Sequence, residues 1–204
     1  MTTTKTTKKN SYQWILWTIL FLFFVSVFAI QNDIRLLNQN LKQTTLEIES
    51  PLNNHYQLLI GAKNNIKLNQ ALFLKLNSSK AILNKSFENL KKPKELSTST
   101  AITETQTFLA NYFDLIKTAQ TNKPTQKNQD LKYLVSESLP KSEKTILIAI
   151  TRYNEQAKLY NNTISKFPHK FIAKTFKAKK QLKLNINNSL ITKQNTTFLI
   201  TKGV

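Results

Sequence analysis

The apolar positions in the C-terminal half of the chain recur with the period of a helix seam. Between residues 139 and 176 they fall at Ile146, Ile150, Tyr153, Ala157, Tyr160, Ile164 and Phe167. The steps alternate four and three, the spacing of a helix that packs lengthwise against others. Tyr153-Asn154 recurs one heptad later as Tyr160-Asn161, so both pairs face the same way. Each ring can enter the seam while its hydroxyl reaches a partner. Phe167-Pro168 ends the helix, because the residue before a proline avoids the α region. Pro140 suits the helix's first turn, where a missing N–H costs nothing.

The same alternation runs through the N-terminal half. Apolar or neutral positions fall at Leu41, Thr44, Ile48, Leu52, His55, Leu59, Ala62, Ile66, Asn69, Phe73, Leu76, Lys80, Leu83, Phe87 and Leu90, and the alternation holds from His55 to Leu90, interrupted by the polar Asn69 and Lys80. One long helix from Leu37 to Leu90 is the expectation, with a kink at Pro51 or a break there capped by Ser50. Lys91 to Lys94 and Ser97 to Thr100 form a connection. A second helix then runs from about Thr100 to Thr121, with Ile102, Leu109, Phe113 and Ile116 on one side and Phe108, Tyr112 and Ala119 beside them. Residues 122–128 are polar, and Asp130 is placed to cap a short helix containing Leu131, Leu134, Val135 and Leu139. After Pro168 comes a short amphipathic piece. Its apolar Phe171, Ile172 and Phe176 are expected to pack over the end of the bundle while the lysines around them stay exposed. Residues 181–204 are expected to be poorly ordered.

Ahead of these helices, Trp14 to Ile30 is an uncharged apolar run with Tyr12, Trp14 and Trp17 at one end. A spanning helix needs ~17–25 such residues, and aromatic side chains favour the membrane interface. The rival is a signal peptide cut after Ala29, but the run exceeds the ~7–15 residues of an ordinary h-region. The fold class is therefore all-α: an N-terminal transmembrane helix, then an antiparallel bundle of about four helices, two of them long. The divisions are a basic N-terminus (1–11), the anchor (12–30), the bundle (31–180) and a basic tail (181–204). Lys5, Lys8 and Lys9 precede the run, against Arg35 and Lys42 just after it. Positive charge stays on the cytoplasmic side, so the N-terminus is expected inside and the bundle outside.

Charge adds a direction. Lysine and arginine number 30 against 11 acidic residues, a net charge of +19, and no acidic residue follows Glu155. Such a field favours anionic partners such as phospholipid headgroups or nucleic acid; an ordinary solubilising surface is the plainer reading. Lys170, Lys174, Lys177, Lys179 and Lys180 are the candidates for contact with anionic lipid. With no cysteine, disulfides, thiolate chemistry and lipoprotein acylation are excluded.

The Tyr-Asn spacing resembles the LemA family of bacterial membrane-anchored helical proteins. The family signature is a Tyr-Asn pair, a second pair seven residues on, an apolar residue and Phe-Pro. Here these are Tyr153-Asn154, Tyr160-Asn161, Ile164 and Phe167-Pro168, followed by Ala173 and Phe176 at the family's Ala and Phe. Ser142-Glu143 and Ile146 fall where the family has Thr-Glu and Ile, and Leu41, Ile48, Leu52, Leu58 and Leu59 suit its first helix. His55 stands in place of the family's Arg, Leu58-Leu59-Ile60 in place of Leu-Ile-Pro, and Ala178 in place of a Phe. The chain thus looks like a divergent member over residues 12–180. The resemblance implies a helical bundle on a retained anchor in the bacterial cytoplasmic membrane, and no established reaction.

No conventional active site is legible. Two glycines, Gly61 and Gly203, do not build a phosphate loop, and His55 and His169 have no second ligand at metal spacing. Glu143 and Glu155 are twelve residues apart on one helix, about 18 Å. A carboxylate pair working on one bond needs ~5–9.5 Å. His55 reads as a half-buried packing residue and His169 as a loop histidine. The Tyr-Asn residues either serve packing, with Asn bonding across to another helix, or form a polar surface for a partner. The expectation is a non-enzymatic scaffold or adaptor without cofactor or metal, acting through an unidentified protein partner or through lipid. The alternative is a membrane-tethered nucleic-acid binder using the basic C-terminal half, although no aromatics are spaced along a basic groove.

Overall fold

α1 (Thr7–Leu46) carries two patterns in succession. In a computed structural model, which describes residues 7–62, 70–92, 98–121 and 137–184, its first half stands clear of every other element. Trp14, Trp17, Phe21, Phe24 and Phe28 are between 61% and 75% exposed. A helix apolar on all sides with nothing packed on it suits lipid rather than water. Among the described residues it is the one helix long and apolar enough to cross a membrane. From Ile34 onward a single stripe turns inward: Ile34, Leu41 and Thr45, then Ile48 and, in α2 (Glu49–Ala62), Leu52, His55 and Leu59.

α1 and α2 meet at Glu47-Ile48, not at Pro51 itself. Glu47 lies four residues before the proline, which has no N–H to give its carbonyl and whose ring crowds it. The near-helical bonds from Glu47 N to Gln43 O (3.0 Å), Ile48 N to Thr45 O (3.2 Å) and Leu52 N to Ile48 O (3.2 Å) carry the chain through the joint. Ser50 consequently lies inside α2 rather than capping it.

The expected helix from Leu37 to Leu90 is corrected more deeply. α2 ends at Ala62 and α3 (Gln70–Lys91) runs back alongside it. Tyr56 Oη donates to Asn77 Oδ1 at 2.8 Å, Lys80 donates to Asn53, and Lys91 meets Glu49 at 3.2 Å, an antiparallel register. Both helices turn the same seam toward one core, so the alternation keeps its phase across the reversal and cannot report it. Ile66 and Asn69 lie outside the described residues. The loss of one long helix leaves the bundle itself as expected: all-helical and antiparallel.

α4 (Ser99–Thr121) rises against α3, and α5 (Leu139–Ser165) descends along α1 and α2. Pro140 takes its place in the first turn of α5. The expected short helix at 130–139 falls outside the described residues except for 137–139, which lead into α5. On α4 the buried residues among those described are Ala101, Ile102, Thr105, Phe108, Leu109, Asn111, Tyr112 and Leu115, so Phe108 and Tyr112, assigned beside the main line, occupy its centre. The core joins these to Leu41, Ile48, Leu52, Leu76, Leu83, Phe87, Ile150 and Tyr153. Each such side chain contributes about 1.5–3 kcal/mol by leaving water. α6 (His169–Thr175) closes the lower end, where Ile172 and Ala173 pack with Ile34, Tyr160 and Ile164, and with Val27 and Ile30 of the apolar run.

Candidate functional site

The repeated Tyr-Asn pairs meet a segment outside any helix or sheet, not another helix. Residues 181–184 run antiparallel to α5 and are held by two side-chain amides. Asn161 Nδ2 donates to Gln181 O at 2.9 Å while its Oδ1 accepts from Gln181 N at 2.8 Å. Asn154 does the same to Leu184, both bonds at 2.9 Å. Between them Tyr153 Oη donates to Leu182 O at 2.6 Å. Seven residues of helix rise about 10.5 Å, and three residues of extended chain span about 10 Å. The heptad spacing of the two asparagines therefore matches two backbone positions three residues apart in extended chain.

The same heptad puts Tyr153 and Tyr160 in the seam, where both are buried. Burial pushes the Tyr153 hydroxyl up to about 12, opposed by the nearby Thr98 hydroxyl; Tyr160 is raised for the same reason, opposed by Gln181. Thr98, just ahead of α4, also donates to Gln181 Oε1 at 2.9 Å. Leu184 buries its side chain in the main core. The ladder thus fastens the chain beyond α6 to the outer edge of α5. The expectation that residue 181 begins a poorly ordered tail is corrected for 181–184; residues 185–204 lie outside the described residues. Thr98, Gln181 and Leu184 carried no local signal, because a segment read through its backbone needs no particular side chains.

A second polar group lies inside the upper bundle. His55 is fully buried, not half-buried: Nδ1 is 2.9 Å from Ser142 Oγ, the ring stands edge-on to Tyr112 at 4.3 Å, and Nε2 has no partner. Desolvation lowers its pKa to about 4, so the imidazole is neutral in the fold. Tyr112 Oη donates to Glu143 Oε1 at 2.7 Å. Burial raises the Glu143 carboxyl, and that hydrogen bond opposes the rise. On the α3 side the buried Lys80 donates to Asn53 and Asn84 and lies 5.9 Å from the ring centres of Tyr56 and Phe108. Burial lowers its pKa and the charge of Glu49 raises it. Apart from His55 Nε2, these contacts satisfy buried polar atoms where four helices cross. An open cleft of about 740 Å³ between α2 and the start of α5 is bordered by Asn54, Gln57 and Ser142, the last being the partner of His55. Among the described residues no group of three or more His, Cys, Asp or Glu gathers at metal-binding distance.

The basic end departs from expectation. Ile172 and Ala173 make the packing contacts, whereas Phe167, Phe171 and Phe176 are 89%, 69% and 51% exposed. The seam of α5 stops at Ile164, since the helix ends at Ser165. Lys170, Lys174, Lys177, Lys179 and Lys180 are all exposed, as anticipated. α6 ends with Lys177 at φ 54°, Ala178 N bonding to Ala173 O (2.9 Å) and Lys177 N to Lys174 O (3.2 Å). That is the six-to-one and five-to-two pattern of a left-handed helix stop, with Lys where Gly is usual. His169, read as a loop histidine, is the first residue of α6 and lies 3.8 Å from Asp33 on α1.

No curated protein and no solved structure matches the chain. The model of the LemA family matches residues 57–198, which takes in the whole ladder, α6 and the segment that the ladder holds. That match covers well over half of the sequence and includes both Tyr-Asn pairs and Phe167-Pro168. The chain belongs to the LemA family.

Proposed function

We propose that this LemA-family chain is a single-pass, non-enzymatic membrane scaffold whose bundle is presented directly at the bilayer surface. One observation carries the reading: α1 passes without a break from its exposed apolar half into the core of the bundle. No linker separates the two, so a partner docked on the bundle is held at a set height above the bilayer. Apart from His55 Nε2, the polar groups inside the bundle are engaged with one another, which favours contact over catalysis. The charge before and after the run, three basic residues against two, favours an N-terminus in the cytoplasm and a bundle outside a bacterial cytoplasmic membrane. The lysine field, with exposed Phe167, Phe171 and Phe176 set among it, is what speaks for nucleic acid as the second reading.

The test uses the full chain in its own membranes. N-terminal sequencing should find the Trp14–Ile30 run retained, alkaline carbonate should leave the protein in the membrane, and protease added to intact spheroplasts should digest the bundle. A mature N-terminus near Ile30 overturns the anchor, and a bundle protected until the membrane is opened reverses its side. Photo-crosslinkers at exposed Ile148 or Leu159 should then trap a protein partner; salt-sensitive capture of duplex DNA instead favours nucleic acid.

A further inference from the structure

We infer that the lower end of the bundle is a second membrane contact, in which Phe167, Phe171 and Phe176 enter the interface of an anionic bilayer beneath a ring of lysines. The inference rests on the reading of α1 as a span. Three large aromatics within ten residues are left in the open, although Ile172 and Ala173 between them are buried. Exposed apolar groups of this kind, rimmed by charge, mark an interaction surface rather than ordinary solvated chain.

Their place in the fold identifies the occupant. Ile172, Ala173 and Ala178 pack in the cluster that includes Val27 and Ile30, the last residues of the apolar run, and Ile34 just beyond. His169 lies against Asp33. α6 is therefore level with the point where α1 would leave the hydrocarbon, the depth at which amphipathic helices lie. Lys166, Lys170, Lys174 and Lys177 are exposed in and around this piece, and no acidic residue follows Glu155. Aromatic rings favour the interface and lysines favour anionic headgroups, so both features suit one surface. A soluble protein partner would account for the rings but not for their level with the end of the run.

The experiment separates this contact from the span. The full chain is reconstituted into phosphatidylcholine–phosphatidylglycerol vesicles, and a single-tryptophan version is made with Trp14→Phe, Trp17→Phe and Phe171→Trp. Phe171 is exposed, so its replacement leaves the core intact. In the native chain Trp14 and Trp17 should be quenched by brominated acyl chains, which checks the span. The tryptophan at position 171 should emit at shortened wavelength and be quenched most by bromines near the headgroup end. It should lose that quenching in Lys170→Glu/Lys174→Glu/Lys177→Glu or when phosphatidylglycerol is omitted. Long-wavelength emission quenched by aqueous iodide, with Trp14 and Trp17 still quenched by lipid, overturns the second contact and leaves the span standing. Blue-shifted emission without lipid quenching means that protein covers the face, which also overturns it. Failure of Trp14 and Trp17 to meet lipid removes the span and this contact together.

Discussion

At the scale of single residues, the asparagines of the two Tyr-Asn pairs do the work that gives the signature its form. Each satisfies one donor and one acceptor of an extended backbone, so the segment needs no β-partner there. Replacing Asn161 by Asp keeps the acceptor for Gln181 N but sets a carboxylate oxygen against Gln181 O. The expected cost is about 1–3 kcal/mol, that of a half-satisfied buried pair. Hydrogen exchange checks it: the Gln181 amide should lose protection before the amides of α5, and unchanged protection would mean that Asn154, Tyr153 and the buried Leu184 hold the segment without Asn161. His55 supplies a pH dependence. Its folded pKa near 4 lies below the ordinary 6.5, so between those values the unfolded chain binds the extra proton. The stability it contributes is complete above pH 6.5 and is lost as pH falls toward 4, about 3 kcal/mol in all. Glu143, raised by burial, acts with the opposite sign. Urea unfolding of the detergent-solubilised chain and of His55→Gln, compared across that window, isolates the histidine; parallel slopes would place the imidazole in water.

At the scale of elements, heptad position decided which helix faces were buried, and it decided correctly for α5. Ile146, Ile150, Tyr153, Ala157, Tyr160 and Ile164 are all in the core, and only Phe167 leaves it, because the helix ends two residues earlier. Ile150→Asp should therefore bury an unpaired charge at a cost of several kcal/mol, a large part of the ~5–15 kcal/mol of a domain. Thermal melting of the full chain in detergent measures it, and a variant that melts like the parent would put this face on the surface. The reversal between α2 and α3 escaped the same reasoning. Heptad phase describes which face is apolar and says nothing about direction, so two antiparallel helices sharing one seam read as one. α6 shows the converse limit: three of its neighbouring aromatics were assigned to the core by type, yet the left-handed stop at Lys177 and the packing of Ile172 and Ala173 leave them outside.

At the scale of the whole molecule, what the sequence determined by itself was set by local chemistry. An uncharged run of Trp14–Ile30 length makes an apolar helix, and 3.5-residue periodicity makes helices that bury one face, so the all-α class and the order of apolar helix followed by bundle were legible. The Tyr-Asn heptad and Phe-Pro were sufficient to point to the family. What only the tertiary structure decided depends on contacts between residues distant in sequence. Nothing near Asn154 and Asn161 encodes that residues 181–184 lie against them, since those bonds go to backbone atoms every residue possesses. Nothing near His55 encodes Ser142, 87 positions away. The level of α6 with the end of the apolar run follows from α5 descending antiparallel to α1. Direction and register belong to the assembled bundle, because side-chain period is the same whichever way a helix runs.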